Sequence, residues 1–419
     1  MPNLWTADPR LVTLAIALTG FGAFVAERWP PEVTALLITL ALILTGQVTP
    51  EQGFAGFANP VPLTVLAMLL FSEGLVSSGA LTPLRDWLVT HGGDRPGRQI
   101  LLLGLVIGPL SACLSNTALT TLFIPVVRSW SRRSGTPVAK LLIPVSYFTI
   151  LGGMTTLIGT AANLLGSQLA VQLGYRPFGL FEFAPAGVIF WLIGLVYLSL
   201  LGHRLLPEGE GAQATEDGAE LPGWHPWKAP LAIAILAAVI LVVTLDWLPL
   251  LVAAWLGVAT LILSGVLATD QLYSRLRWDV ILLLALLLPL GDAMQASGAT
   301  DWLAARMLSW TVGLPEWEVL LVFFTITALI TEFLSNIGAV LLLLPVAVTV
   351  ASQLGQNPQN AMLAVIFAAS NSFLTPIGYQ TNTLVYRAGG YRFGDFLRVG
   401  LPLALLLAIA TPLLLATLY

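Results

Sequence analysis

The chain has 419 residues, of which 57% are hydrophobic and 10% charged, with a formal net charge of −4 and a mean hydropathy of +0.87. Soluble domains carry about 25% charged residues, so this composition excludes an ordinary water-soluble enzyme, and the lack of any basic tract excludes a nucleic-acid-binding protein. The single cysteine, Cys113, leaves no intrachain disulfide to form.

Apolar runs of about 17–25 residues, long enough to cross a bilayer as helices, recur along the chain. The first follows Arg10 and lacks a small-residue cleavage site, so it reads as a membrane helix rather than a removed leader. Runs at 11–27, 31–47, 61–80, 140–173 and 183–203 predict five helices in the first half. Runs at 229–245, 249–268, 278–297, 360–386 and 398–417 predict five in the second. Two further segments, 98–127 and 317–353, each carry a Ser-Asn pair amid apolar sequence. Tryptophans near segment ends (Trp29, Trp87, Trp130, Trp224, Trp227, Trp247, Trp278, Trp302 and Trp310) are expected to anchor at the membrane interfaces.

The two halves match each other. "SGA" at 78–80 returns at 297–299, and "TLIGTAAN" at 156–163 returns as "TPIGYQTN" at 375–382, both at an offset of 219. Ser111, Ser115, Asn116 and Pro125 match Thr331, Ser335, Asn336 and Pro345 at an offset of 220. Matches in order at a near-constant offset signal a duplication. The predicted units are a first repeat at 1–204, an acidic, flexible cytoplasmic linker at 205–228, and a second repeat at 229–419.

Lysine and arginine concentrate on cytoplasmic loops, and this decides how the Ser-Asn segments run. If each enters the membrane, turns and leaves on the same side, the 18 basic residues divide 15 against 3. If each crosses, they divide 9 against 9. The first arrangement puts both termini outside and makes 98–127 a cytoplasmic-side re-entrant hairpin and 317–353 an outside one. Five crossings per repeat invert one repeat relative to the other. The expected fold is therefore an all-α polytopic membrane protein of two inverted repeats. Each has five transmembrane helices, one re-entrant hairpin and one broken helix, at about 140–173 and 360–386. Secondary transporters use this architecture, with binding sites near the bilayer midplane.

An asparagine in hydrocarbon costs several kcal/mol unless its amide finds partners. Ser-Asn at a hairpin tip can cap the second half-helix, which is a structural role alone. It does not account for the second interruption in each repeat, "LGGMTTLIGT" at 151–160 and "FLTPIGYQTN" at 373–382. Backbone freed at membrane depth is tolerated beside protein partners or a water-filled cavity. Carbonyl, hydroxyl and amide oxygens suit a small cation such as Na⁺, and half-helix N-termini suit an anion. No Lys or Arg lies in the interior of a predicted span, so an anion is expected to rest on dipoles, hydroxyls, amides and a nearby bound cation.

The paired Ser-Asn motifs, "TEFLSN" at 331–336, "TPEQGFAGFANP" at 49–60 and "TPIGYQTNTLVY" at 375–386 resemble the divalent anion:sodium symporter family of the citrate-transporter-like superfamily. The resemblance covers essentially the whole chain. It implies an inner-membrane homodimer that carries dicarboxylates, citrate or sulfate, usually driven by Na⁺, as a transport domain slides elevator-like against a scaffold. It also implies a first cation site of Ser111, Ser115, Asn116 and the Gly159 backbone. The second would be Thr331, Ser335, Asn336 and the Gly378 backbone. Substrate contacts would come from Asn116, Thr117 and Asn336, with Thr160 and Tyr379. The sequence departs from the family pattern at Ile337, where a hydroxyl is expected, and in its loops, where Ala161-Ala162 and Gln380-Thr381 replace paired prolines.

Glu73 and Asp292 occupy equivalent positions, five residues before their Ser-Gly-Ala matches. As intramembrane carboxylates they are candidates for proton coupling, against the plainer role of an acid near an interface. Glu332 occurs in one repeat only and suits a structural hydrogen bond. His91, His203 and His225 fall in predicted loops and form no metal-binding pattern. Cys113 near the first tip reads as a small tip residue. An enzyme or a passive channel fits these features poorly. The main rival within transport is a cation/proton antiporter or arsenite-type exporter of the same superfamily.

Overall fold

The computed structural model describes residues 8–26, 28–208, 223–268 and 277–419. Most of the predicted acidic linker, and Arg275, lie outside the described residues. Helices make up the structure, with no strand among the described residues. The first half holds α1 (Pro9–Val25), α2 (Pro31–Leu44), α3 (Pro60–Ser77), α4 (Thr82–His91), α5 (Pro96–Ser111), α6 (Asn116–Ser134), α7 (Leu142–Gly153), α8 (Ala161–Gln172) and α9 (Ala184–Tyr197). The second holds α10 (Lys228–Thr244), α11 (Leu250–Leu263), α12 (Trp278–Ala296), α13 (Ala299–Thr311), α14 (Glu316–Thr331), α15 (Asn336–Gln353), α16 (Pro358–Ala369), α17 (Gln380–Gly389) and α18 (Phe393–Leu418).

Helix boundaries follow local chemistry. α1 and α3 begin with proline, whose missing N–H costs nothing in a first turn, behind Asp8 and Asn59 caps that accept from the N–H groups of Arg10 and Val61. Each Ser-Asn segment breaks into two helices around a four-residue turn, at 112–115 and 332–335. The predicted helix at 140–173 is interrupted between Gly153 and Ala161, and the one at 360–386 between Ala369 and Gln380.

Two helices, α4 and α13, were not expected. They carry charge (Arg85 and Asp86; Asp301 and Arg306) and give no long apolar run. His91 ends α4, and His203 lies in the helical turns that prolong α9, so neither is in a loop. Among the described residues, five helices are long and apolar enough to cross a membrane, and six shorter ones are apolar. The five include α15, which the basic-residue distribution assigns to a hairpin arm.

The centre of the bundle belongs to the broken helices. All twelve residues of α7 and ten of the twelve in α16 are buried, as expected of helices apolar on every face. α7 packs against α5, α6, α9 and α17; α16 packs against α14, α15, α18 and α8. Each broken helix thus touches its own hairpin and the broken helix of the other half. On the flanks, α2 pairs with α12 and α11 with α3. Eight of the nine expected anchor tryptophans are exposed, but Trp130 is 1% exposed. Its indole stacks over Gly92, where a Cβ would lie 1.5 Å from Trp130 Cζ2. Trp130 is a core residue, not an interfacial anchor.

Candidate functional site

Two matched oxygen clusters hold the helix breaks together. In the first half, Ser111 Oγ lies 2.6 Å from Asn116 Oδ1 and 2.7 Å from the Thr149 carbonyl oxygen. In the second, Thr331 Oγ1 lies 2.9 Å from Asn336 Oδ1 and 2.8 Å from the Ala369 carbonyl oxygen, with Ser372 Oγ 3.1 Å from Asn336 Oδ1. A hydroxyl has one proton to donate. Ser111 and Thr331 each face two acceptors with that single proton, leaving an oxygen-rich, proton-poor cluster. Nearby, the buried Asn163 Oδ1, Ser370 Oγ and Asn371 Oδ1 have no hydrogen-bond partner. Buried polar atoms are normally satisfied, so these oxygen-rich, proton-poor sets fit a small hard cation.

The interrupted loops are tied just as symmetrically. Asn163 Nδ2 donates to the carbonyls of Gly153 (3.2 Å) and Thr156 (2.7 Å). Asn382 Nδ2 donates to those of Ser372 (2.8 Å) and Thr375 (3.0 Å). Thr156 Oγ1 donates to the Ala112 carbonyl, and its counterpart Thr375 Oγ1 to the Glu332 carbonyl. Glu332 is 2% exposed, and its carboxylate accepts from the backbone N–H groups of Leu374 (2.7 Å) and Thr375 (2.9 Å). That matches the hydrogen-bonding role expected of it. Glycine is required where the loops close: a Cβ on Gly159 would sit 2.3 Å from the Gly153 carbonyl oxygen, and one on Gly378 would sit 2.6 Å from Glu332 Oε2.

Capping accounts for part of the Ser-Asn pattern. Ser335 Oγ accepts from the N–H of Gly338 at 3.2 Å, whereas the Ser115 side chain makes no cap bond. The Ser115 N–H instead donates to Ser72 Oγ at 2.9 Å.

The tips open onto two adjoining cavities. The smaller, about 90 Å³, is lined by Ser115, Asn116 and Thr117 of the first tip and by Gly159 and Thr160. The larger, about 550 Å³, is lined by Ser335, Asn336 and Ile337 of the second tip and by Gly378, and it reaches Arg28 and Glu32 at the start of α2. Thr160, Tyr379 and Gln380 line both. Asn116 Nδ2 donates to Tyr379 Oη (3.0 Å), and Thr117 Oγ1 to Gln380 Oε1 (3.2 Å). The first tip therefore bonds to the loop of the second half, while the second tip shares the larger cavity with Thr160 of the first-half loop.

Of the residues expected to bind substrate, Asn116, Thr117, Asn336, Thr160 and Tyr379 all line a cavity. Ser111 and Thr331 are fully buried behind the tips. Glu73 and Asp292 line neither cavity; Asp292 is exposed and Glu73 half-buried. Asn163, Asn382 and Gln380 were not foreseen as site residues. The two asparagines did carry a signal, since they close both copies of the matched loop string. Two basic side chains stand beside the cavities, Arg28 at the larger and Arg277 at the smaller. Arg277, assigned to a cytoplasmic loop, lines the smaller cavity at the start of α12.

A bundle of apolar helices with two facing, polar, interrupted tips defines a polytopic membrane transporter rather than an enzyme. More narrowly, the chain belongs to the citrate transporter family, whose model matches residues 21–338 and, in an overlapping second match, 304–419. A relative from Synechocystis described as an uncharacterized transporter is 32% identical over 99% of this chain and 98% of its own. Sodium/sulfate cotransporter 2 of Chlamydomonas reinhardtii is 35% identical over 49% of this chain and 24% of its own. The crystal structure of the Alcanivorax borkumensis YdaH transporter shares the fold, with a TM-score of 0.64 at 17% identity over 98% of both chains.

Proposed function

We propose that this protein is a Na⁺-coupled secondary transporter of a small divalent anion (a dicarboxylate, citrate or sulfate). One observation carries the reading. The same oxygen cluster is built twice, around Asn116 and around Asn336, beside two cavities that meet at Tyr379. A Na⁺ at each cluster would be held by hydroxyl, amide and carbonyl oxygens. The anion would lie between the tips, against Asn116, Thr117, Thr160, Asn336 and Tyr379. The bound cations offset the desolvation cost of the anion, so the two kinds of ligand bind together, and that linkage is the coupling. The name of the Chlamydomonas relative, a sodium/sulfate cotransporter, supports the same pairing of ligands.

The larger cavity reaches Arg28, one of the residues the basic-residue distribution assigns to the cytoplasm, which supports an inward-facing state. Alternating access would carry the hairpin and broken-helix bundle past the α2/α12 and α3/α11 flanks as an elevator, in a homodimer of the inner membrane. The test is uptake of labelled succinate, citrate and sulfate into proteoliposomes with and without an inward Na⁺ gradient. We expect Na⁺-stimulated uptake of at least one. Asn116→Ala and Asn336→Ala should each abolish it while the protein remains folded in the membrane. Normal uptake by both variants would remove the site assignment.

A further inference from the structure

We infer that Arg277 is the cation that recognises the transported anion and that Asp279 is its positioning residue; this rests on reading the tips as an anion site. Neither residue belongs to a tip. Both stand at the first turn of α12, which packs against α2 on the flank of the bundle. Arg277 Nε donates to Asp279 Oδ1 (3.0 Å) and Nη2 to Asp279 Oδ2 (2.6 Å). A guanidinium carries five N–H donors in one plane. This fork uses two of them and leaves three directed elsewhere.

Where the pair stands gives those spare donors a use. Arg277 lines the smaller cavity beside Asn116, Thr117 and Tyr379, and among the described residues it is the one charged side chain that does so. Asp279 lines the larger cavity, together with Arg28 and Glu32. Both members of the pair are 36% exposed, so neither is sealed away from a ligand. The tips offer amides and hydroxyls, which donate hydrogen bonds to an anion but carry no opposing charge. The guanidinium supplies positive charge that Asp279 partly offsets, and its three spare N–H donors can meet two oxygens of a carboxylate or sulfate. The Asp279 fork fixes the plane of that guanidinium, so less side-chain freedom is lost when an anion binds.

The experiment uses the full chain in proteoliposomes under an inward Na⁺ gradient. It reads initial rates of ³⁵S-sulfate and ¹⁴C-citrate uptake against anion concentration for wild type, Arg277→Gln and Arg277→Lys. Arg277→Gln should raise KM for the transported anion by at least about tenfold, the scale of one lost charged hydrogen bond. With the anion saturating for each protein, the Na⁺ concentration giving half-maximal rate should stay within about twofold, because the oxygen clusters are untouched. Arg277→Lys keeps the charge without the fork and should fall between. Wild-type KM in Arg277→Gln overturns the inference and leaves the anion-site reading standing. Equal shifts in KM and in the Na⁺ requirement would mark a merely structural role and also overturn it. Should Arg277→Gln fail to fold, Arg277→Lys decides alone, and an unchanged KM refutes the assignment. If the wild type moves neither anion, the anion-site reading falls and takes this inference with it.

Discussion

Gly159→Ala tests the first oxygen cluster as the proposed cation site without removing any polar group. A Cβ at Gly159 would lie 2.3 Å from the Gly153 carbonyl oxygen, 2.8 Å from its Cα and 2.9 Å from its carbonyl carbon. All three atoms are backbone, so no side chain can rotate away. The two strands of the loop must separate by about 1 Å to reach ordinary contact. Gly153 in turn is packed against the site: a Cβ there would be 3.0 Å from Asn116 Nδ2. Overpacking of this kind costs about 1–3 kcal/mol. If that cost falls on the cation-bound state, Na⁺ binding weakens by about 5- to 150-fold. The assay is anion uptake against Na⁺ concentration, with Gly394→Ala as control, since nothing lies within 4 Å of a Cβ there. The control should match wild type, and Gly159→Ala should need far more Na⁺. A wild-type Na⁺ curve in Gly159→Ala would refute the claim that this loop shapes a cation site.

Two further outcomes follow from the same geometry. Glu332→Ala removes a buried carboxylate that accepts two backbone N–H groups, interactions of about 1.5–3 kcal/mol each, and should lower the melting temperature in detergent markedly. Glu332→Gln keeps one acceptor oxygen and should lower it less; equal melting of all three proteins would refute the role of Glu332 as a clasp on the second loop. Glu73→Gln and Asp292→Asn should leave the pH profile of uptake unchanged, because neither residue lines a cavity; a displaced profile in either variant would restore it as a proton-coupling candidate.

The duplicated tips were legible because burying polar groups in an apolar run is costly, and a chain that does so twice at one spacing shows where its constraints lie. Gly159 and Gly378 were named through the family resemblance alone, and the contacts that demand glycine there come from across the loop or far along the chain. α4 and α13 were hidden because they are charged, and hydropathy finds only helices that lipid or core surrounds. Trp130 was misassigned because a tryptophan near a segment end looks alike whether it faces lipid or packs on Gly92. Arg277 gave no sign of its place beside a cavity. Counting basic residues assigns loops to a side of the membrane, but it does not show which of them a cavity reaches. Gln380 gave no signal, since its partner Thr117 lies on another helix 263 positions away.

The two interrupted loops cannot move independently. Ser146 Oγ of α7 lies 2.7 Å from Thr381 Oγ1 and 2.6 Å from Asn382 Oδ1 of α17. Tyr147 Oη donates to the Phe373 carbonyl at 2.6 Å, and Tyr391 Oη accepts from the Ile143 N–H at 3.1 Å. All of these groups are buried. Sliding one broken helix past the other would strand several polar atoms, each costing about 1–3 kcal/mol. That makes this a stiff interface, so in the proposed mechanism the interface that yields lies elsewhere. The contacts of α12 and α3 with the hairpin arms α15 and α6 are the alternative, and Arg277 stands on the flank side of that seam. An anion held between the tips and Arg277 would bridge the two parts, tying substrate occupancy to whether they can separate.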